Sequence, residues 1–313
     1  YFPGFVEPAY LLVGAVDLSE PNVPMDVQSF LGSGQNVYAS AENLYIAVTQ
    51  YNSTAEPAAL QAPAAAAMPE MAIQPVIAPS PLHVTTSVYK FALHPSSVVF
   101  MAEGSVPGSI LNQFSMDEYD GHFRIATTTD ALWSIGERTS KNNVYILGER
   151  LQRVGQIEDI APGERIYSVR FMGKRAYMVT FRTVDPLFVI DVENPAAPRI
   201  LGELKIPGYS DYLHPYDEHH LIGFGKDTIE AGGNAYYLGM KIALFDVTDV
   251  SQPKELHKTM IGDRGTHSEL LYDHKALLFS REKNLLAFPV DLYEVKSDTS
   301  GGKAVPMDSG IPA

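Results

Sequence analysis

"VDLSEPNVP" (residues 16–24) places an aspartate at the end of an apolar run and follows it with two prolines. Nearly the same phrase returns as "IDVENPAAP" (190–198) and "FDVTDVSQP" (245–253). Asp17, Asp191 and Asp246 are each followed, at offsets of four and seven, by Pro21 and Pro24, Pro195 and Pro198, and Val250 and Pro253. A short apolar run precedes the later copies ("LFVI", "IALF") and a second strand-like stretch follows them ("RILGELKI", "KELHKTMI"). Proline fixes φ and cannot donate to a ladder, so the phrase reads as strand, turn, strand. The aspartate is expected to close an Asx turn.

A second phrase lies about 25 residues further on: "SAENLYIAVT" (40–49), "MGKRAYMVTF" (172–181), "YDEHHLIGFG" (216–225) and "YDHKALLFSR" (272–281). Each is a polar turn entering a β-rich strand. Together the phrases give a period of about 44 residues, with one copy lengthened by "KDTIEAGGNAYYLGM". A period of 40–50 with about four short strands per unit is that of propeller blades. "VYILGERLQRVGQI" replaces the Asp-Pro phrase in a degenerate copy at 144–181, and an irregular copy falls between 84 and 130. The expected fold is all-β: a β-propeller of four-stranded antiparallel blades, about five in whole or part, spanning residues 1–294. Residues 56–81 read as an Ala/Pro-rich inserted loop and 295–313 as a tail or linker.

The chain has 313 residues, 45% hydrophobic and 19% charged, enough to bury a core. Its formal charge of −14 would repel a phosphate backbone, so nucleic acid is not an expected partner. With no cysteine, disulfides, thiolate catalysis and Cys-based zinc sites are excluded. No apolar run reaches the ~18 residues that would read as a transmembrane segment. Asn52 in "YNST" (51–54) lies in a glycosylation sequon, a weak pointer to export.

"VPGSILNQFSMDEYDGHFRIATTT" (106–129), "APGERIYSVRFMGKRAYMVTFRTVDPLFVIDVENPAAPRILGELKIPG" (161–208) and "YLHPYDEHHLIGFGKDT" (212–228) closely resemble a family of secreted bacterial and archaeal proteins. That family carries a C-terminal β-propeller distantly similar to WD40 propellers. The resemblance runs from "FPGFVEP" to "EKNLLAFPV" near residue 290 and implies export and a propeller, but no particular activity. Family members usually carry further blade sequence on either side, so either a partial propeller or strands from elsewhere completing the ring is expected.

Two polar clusters are candidate metal sites, for Ca²⁺ or Zn²⁺. "SMDEYDGHFR" gathers Asp117, Glu118 and Asp120 before a glycine, followed by His122, as a hard cation would require of converging oxygens. "LHPYDEHH" gathers His214, Asp217, Glu218, His219 and His220; the rival reading is a polar turn with His214 bonded to backbone. No other cofactor is indicated. A nucleophile elbow and His-Glu-x-x-His are both absent from the sequence. Pairs such as Asp273 with His274, or His267 with Glu269, would serve acid–base chemistry only if the fold brought them together.

The sequence thus supports a secreted or cell-surface binding or structural scaffold, partnered by a protein or cell-envelope component, more than an enzyme. The alternatives are a metal-dependent enzyme at the channel mouth, marked by convergence of His122, His214 and His267 or His274, and self-assembly into an extracellular layer or filament.

Overall fold

A computed structural model describes residues 10–20, 22–31, 34–53, 82–129, 140–181, 185–231 and 234–295. The expected 56–81 loop and nearly all of the 295–313 tail lie outside the described residues.

Four four-stranded antiparallel sheets follow one another along the chain. Blade 1 has β3 (Asn36–Ala39), β4 (Asn43–Ser53), β5 (Leu82–His94) and β6 (Ser97–Pro107). They are preceded by a two-stranded hairpin, β1 (Tyr10–Ala15) and β2 (Asp26–Leu31). Blade 2 has β7 (Met116–Tyr119), β8 (His122–Thr129), β9 (Lys141–Leu147) and β10 (Arg153–Ile160). Blade 3 has β11 (Arg165–Met172), β12 (Arg175–Phe181), β13 (Asp185–Asp191) and β14 (Arg199–Ile206). Blade 4 has β15 (Tyr209–Pro215), β16 (His220–Ala231), β17 (Asn234–Asp246) and β18 (Lys254–Ile261), and a short pair, β19 (Leu278–Ser280) and β20 (Leu285–Ala287), follows.

The propeller of four-stranded blades is therefore present, with one shift of phase. The stretch 84–130, expected as a single blade, is divided: β5 and β6 complete blade 1, and β8 belongs to blade 2. The Ala/Pro insertion between β4 and β5 hid their pairing, which runs in continuous register from Asn43↔Ala92 to Ser53↔Leu82. The other insertion lengthens the β16–β17 hairpin out to Ala231↔Asn234.

Strands buried on both faces have neighbours on both sides, and the apolar clusters mark those seams in order. Val13 of the first hairpin packs with Ile46, Val48, Tyr89 and Phe91 of blade 1. Tyr45 and Val88 of blade 1 meet Phe123, Ile125 and Leu147 of blade 2. Val144 and Ile146 meet Phe171, Met178 and Ile190 of blade 3. Val179 and Val189 meet Leu221, Ala243 and Phe245 of blade 4. Phe224 and Met240 meet Leu270, Phe279 and Leu286 at the C-terminal end.

The repeated Asp phrase joins the two outer strands of a blade. The Asp17, Asp191 and Asp246 carboxylates accept the amides of Ser19, Glu193 and Thr248 at 2.9, 3.1 and 2.8 Å, the expected Asx turns. The outer strand of every complete blade also carries a bulge, at Met101, Val154, Leu201 and Leu256. A bulge sharpens the local twist. Beside or near it, Gly104, Gly155 and Gly202 lie under the next blade's turn, where an added Cβ would overlap the carbonyl oxygens of Leu151, Pro195 and Val250. The turn phrase thus recurs because each turn caps its own hairpin and seats its backbone on its neighbour.

Gly155→Ala and Gly202→Ala should each lower stability by about 1–3 kcal/mol, since backbone must move to admit the methyl group. Gly148→Ala would meet only the flexible Gln152 side chain and should cost less than half as much. Equal shifts of the denaturation midpoint for all three would contradict this docking.

Candidate functional site

The Asp117–His122 segment is a β-hairpin. Asp120 and Gly121 take φ of 49° and 72°, the left-handed pair of a two-residue turn, which Asp-Gly favours. The His122 Nδ1 lies 2.8 Å from the Asp120 carbonyl oxygen. Asp117 pairs in register with Arg124 across the hairpin, and their side chains form an ion pair. Arg124 is 2% exposed, lies over the Tyr119 and Phe171 rings at 4.8 and 5.1 Å, and donates to the Gly173 carbonyl of blade 3. Glu118 turns instead to blade 1, accepting from the Asn43 amide at 2.7 Å, while its own N–H donates to the Tyr38 hydroxyl. Adjacent strand residues point to opposite faces, so these carboxylates seam three blades and do not converge.

The second cluster is divided in the same way. Asp217 accepts the His219 amide and pairs with His220 Nδ1, both at 2.8 Å, and Arg281 lies 3.6 Å away; Glu218 and His219 are exposed. His214 bonds the Tyr212 hydroxyl at 3.1 Å instead of backbone, its imidazole lying between the Tyr212 and Phe279 rings. Burial, assisted by Arg170, holds its pKa below the usual value, keeping it neutral. His274 also approaches the Tyr212 ring and lies 3.3 Å from the Gln113 amide nitrogen. His267 pairs with Asp291 at 3.2 Å, and His122 stays at its hairpin. Two of the four histidines thus meet at Tyr212. Among the described residues, no three His, Asp or Glu side chains stand close enough to hold a metal. Asn52, on β4, pairs with His83 of β5; its side chain lies outside the described residues.

The two ends of the propeller are built differently. At the end carrying the β7–β8, β11–β12 and β15–β16 turns is a groove of about 850 Å³. Tyr119, Tyr177 and Tyr216 line it, with Lys174, Arg175 and Glu218 beside them. Lys174 is held by Glu193 at 2.5 Å and Arg175 by Asp191 at 2.9 Å. At the other end an open cavity of about 370 Å³ is lined by Ser109, Ile110, Leu111, Thr128, Arg165, Ile166, Tyr167 and Asp211. Asp211 also borders a second hollow of about 60 Å³ with Phe114, Tyr212 and His274.

Sequence reasoning passed over Asp211, which sits in no motif. Its signal was an aspartate inside the strand "YSDYLHP", where that residue is disfavoured. Burial raises its carboxyl from 3.8 to about 7, and the charge of Lys226 offsets this only in part. The folded state therefore binds the Asp211 proton more tightly than the unfolded chain. The resulting stabilisation is full below pH 3.8 and is lost as pH rises through about 7. Ionised, the group costs on the order of 4 kcal/mol.

Asp211→Asn should accordingly unfold at a higher temperature than the wild type at about pH 8 and at nearly the same temperature near pH 4. An advantage of the same size at both would refute the assignment. Arg124→Met and Asp117→Asn should each destabilise by about 3–5 kcal/mol, and the double change by less than their sum. Strict additivity would mean the pair does not act as a unit.

Relatives of the chain extend the picture without adding an activity. An uncharacterized protein of Archaeoglobus fulgidus is 42% identical over 206 residues, 65% of this chain and 29% of the relative. An uncharacterized protein of Methanocaldococcus jannaschii is 44% identical over 186 residues, 59% of this chain and 28% of the relative. The matched part is less than a third of the length of either relative. A family described as a beta propeller domain matches residues 1–309, in accord with the four successive blades, and the chain belongs to that family.

Proposed function

We propose that this propeller is a binding module of a secreted or cell-surface protein, holding a segment of another protein or of cell-envelope material in the groove at its turn-bearing end. The observation that carries the reading is the composition of that groove: turns from three successive blades converge on one concave surface of about 850 Å³. Tyr119 and Tyr216 supply accessible aromatic contact area at low entropic cost above the buried Tyr177, and the paired charges at Lys174 and Arg175 supply orientation. Those cations are already partnered, so they suit recognition of a polar surface more than proton transfer. Export is supported by the resemblance to secreted proteins and by the sequon at Asn52. No helix among the described residues is long and apolar enough to cross a membrane.

A photo-crosslinking residue in place of Tyr216, with Lys258 on β18 as the comparison site, tests the groove in producing cells. A discrete adduct from position 216 that is absent from position 258 is expected. No adduct, or equal adducts at both positions, would discard the groove. Cell fractionation with protease treatment of intact cells reads out location separately, and full protection inside the cell would refute surface exposure.

A further inference from the structure

Asp211 and Tyr167 are both bulge residues. In blade 3 the pairing steps from Ile166↔Thr180 to Ser168↔Val179, leaving Tyr167 without a cross-strand partner. In blade 4 it steps from Ser210↔Gly225 to Tyr212↔Phe224, leaving Asp211 unpaired in the same way. The two neighbouring inner strands thus carry the same irregularity at the same height, tied together by the Ser168 hydroxyl donating to the Ser210 carbonyl at 2.6 Å. Gly225 opposite makes it sterically possible, because a Cβ there would overlap the Tyr209 carbonyl oxygen. Bulges of this kind re-aim side chains and are over-represented beside functional sites. Here both re-aimed side chains border the 370 Å³ cavity.

Among the described residues, no donor lies within hydrogen-bonding reach of the Asp211 carboxylate. The nearest influence is the charge of Lys226, whose ammonium group donates to the Thr266 carbonyl. A carboxylate brought into a partly enclosed cavity without a donor is costly unless something arrives to pair with it. One carboxylate is too few ligands for a divalent metal, which needs several converging oxygens. It suits a single ammonium group, whose alkyl stem would lie against Ile110, Leu111 and Ile166 and whose charge would face the Tyr167 ring.

We propose that the Asp211 cavity binds a primary ammonium group, carried by a small organic amine or by a lysine side chain of a partner protein. This site lies at the opposite end of the propeller from the groove and stands or falls independently of it. The charged and titratable groups around Asp211 are Lys226 on β16, Arg165 and Tyr167 on β11, Tyr209 and Tyr212 on β15, and His274 beyond blade 4. Of these, Asp211 is the group whose ionisation turns an ammonium site on as pH rises.

The test is calorimetric titration of the protein with n-butylammonium, with N-acetyl-lysine methylamide and with neutral n-butanol, at about pH 8 and about pH 5.5. Saturable one-to-one binding of at least one ammonium probe is expected, roughly thirtyfold weaker at the lower pH and, at about pH 8, at least roughly tenfold weaker in Asp211→Asn. That variant should remain folded, since it removes a destabilising charge. Tighter binding of the lysine derivative would point to a partner's side chain, and tighter binding of butylammonium to a free amine. The carbon chemical shift of the Asp211 carboxyl gives a second readout: its titration should move to lower pH when the probe is bound. Absence of saturable binding by either ammonium probe, equal binding by n-butanol, or undiminished binding to Asp211→Asn would overturn the proposal.

Discussion

A four-stranded antiparallel sheet that is apolar on both faces is stable only between two others, and nearly everything in this structure follows from that constraint. The middle strands of blade 3 read as almost continuous apolar runs, "RAYMVTF" and "PLFVI", because neither face meets water. The seams must then be filled blade by blade, which is why the apolar clusters succeed one another along the chain. Polar side chains caught in a seam are forced into internal pairs. Arg124 is the clearest case: buried to 2% exposure, it is neutralised by Asp117 and bridges to the backbone of the next blade. Removing either partner strands a charge, so such pairs persist even where an apolar pair would be as stable.

The regular part of this design was open to sequence reading and the irregular part was not. The spacing of Asp and Pro in "IDVENPAAP" and "FDVTDVSQP" follows from the length of an outer hairpin, and the structure places Asx turns at those aspartates. Blade boundaries were misplaced locally where the Ala/Pro insertion separates β4 from β5, because a pairing of high sequence separation leaves no periodic trace. The docking glycines were visible as residues, but nothing in sequence shows that Gly155 lies under Pro195. That relation exists only between blades.

The metal candidates are dispersed for a related reason. Proximity in sequence suggested that Asp117, Glu118 and Asp120 could share a cation, but a strand sends successive side chains to opposite faces, and Asp120 sits in the left-handed turn beyond the strand. Asp217 likewise spends its oxygens on the turn it sits in. In a β-propeller the groups that meet come from equivalent positions on different blades, about one period apart. Tyr167 and Asp211 are 44 residues apart, the repeat length itself. A search for chemistry by repeat position would have paired them.

That pairing bears on how a propeller can evolve a site without losing its frame. The outer-strand bulges recur in all four complete blades and serve packing. The single-residue inner-strand bulges at Tyr167 and Asp211 occur in two adjacent blades, while the inner edge of blade 2 breaks differently, stepping from Met116↔Ile125 to an isolated Ser109↔Thr128 bridge. A device used for packing everywhere would be expected in every blade; one confined to neighbouring inner strands around a cavity is local in purpose. The carboxylate it exposes destabilises the fold above neutrality, and the rest of blade 4 tolerates that because Phe224, Met240 and Phe245 behind it are fully buried. Stability from the seams is what permits an unpaired carboxylate beside the cavity, and the groove at the other end needs no such concession because its Lys174 and Arg175 charges are paired in place.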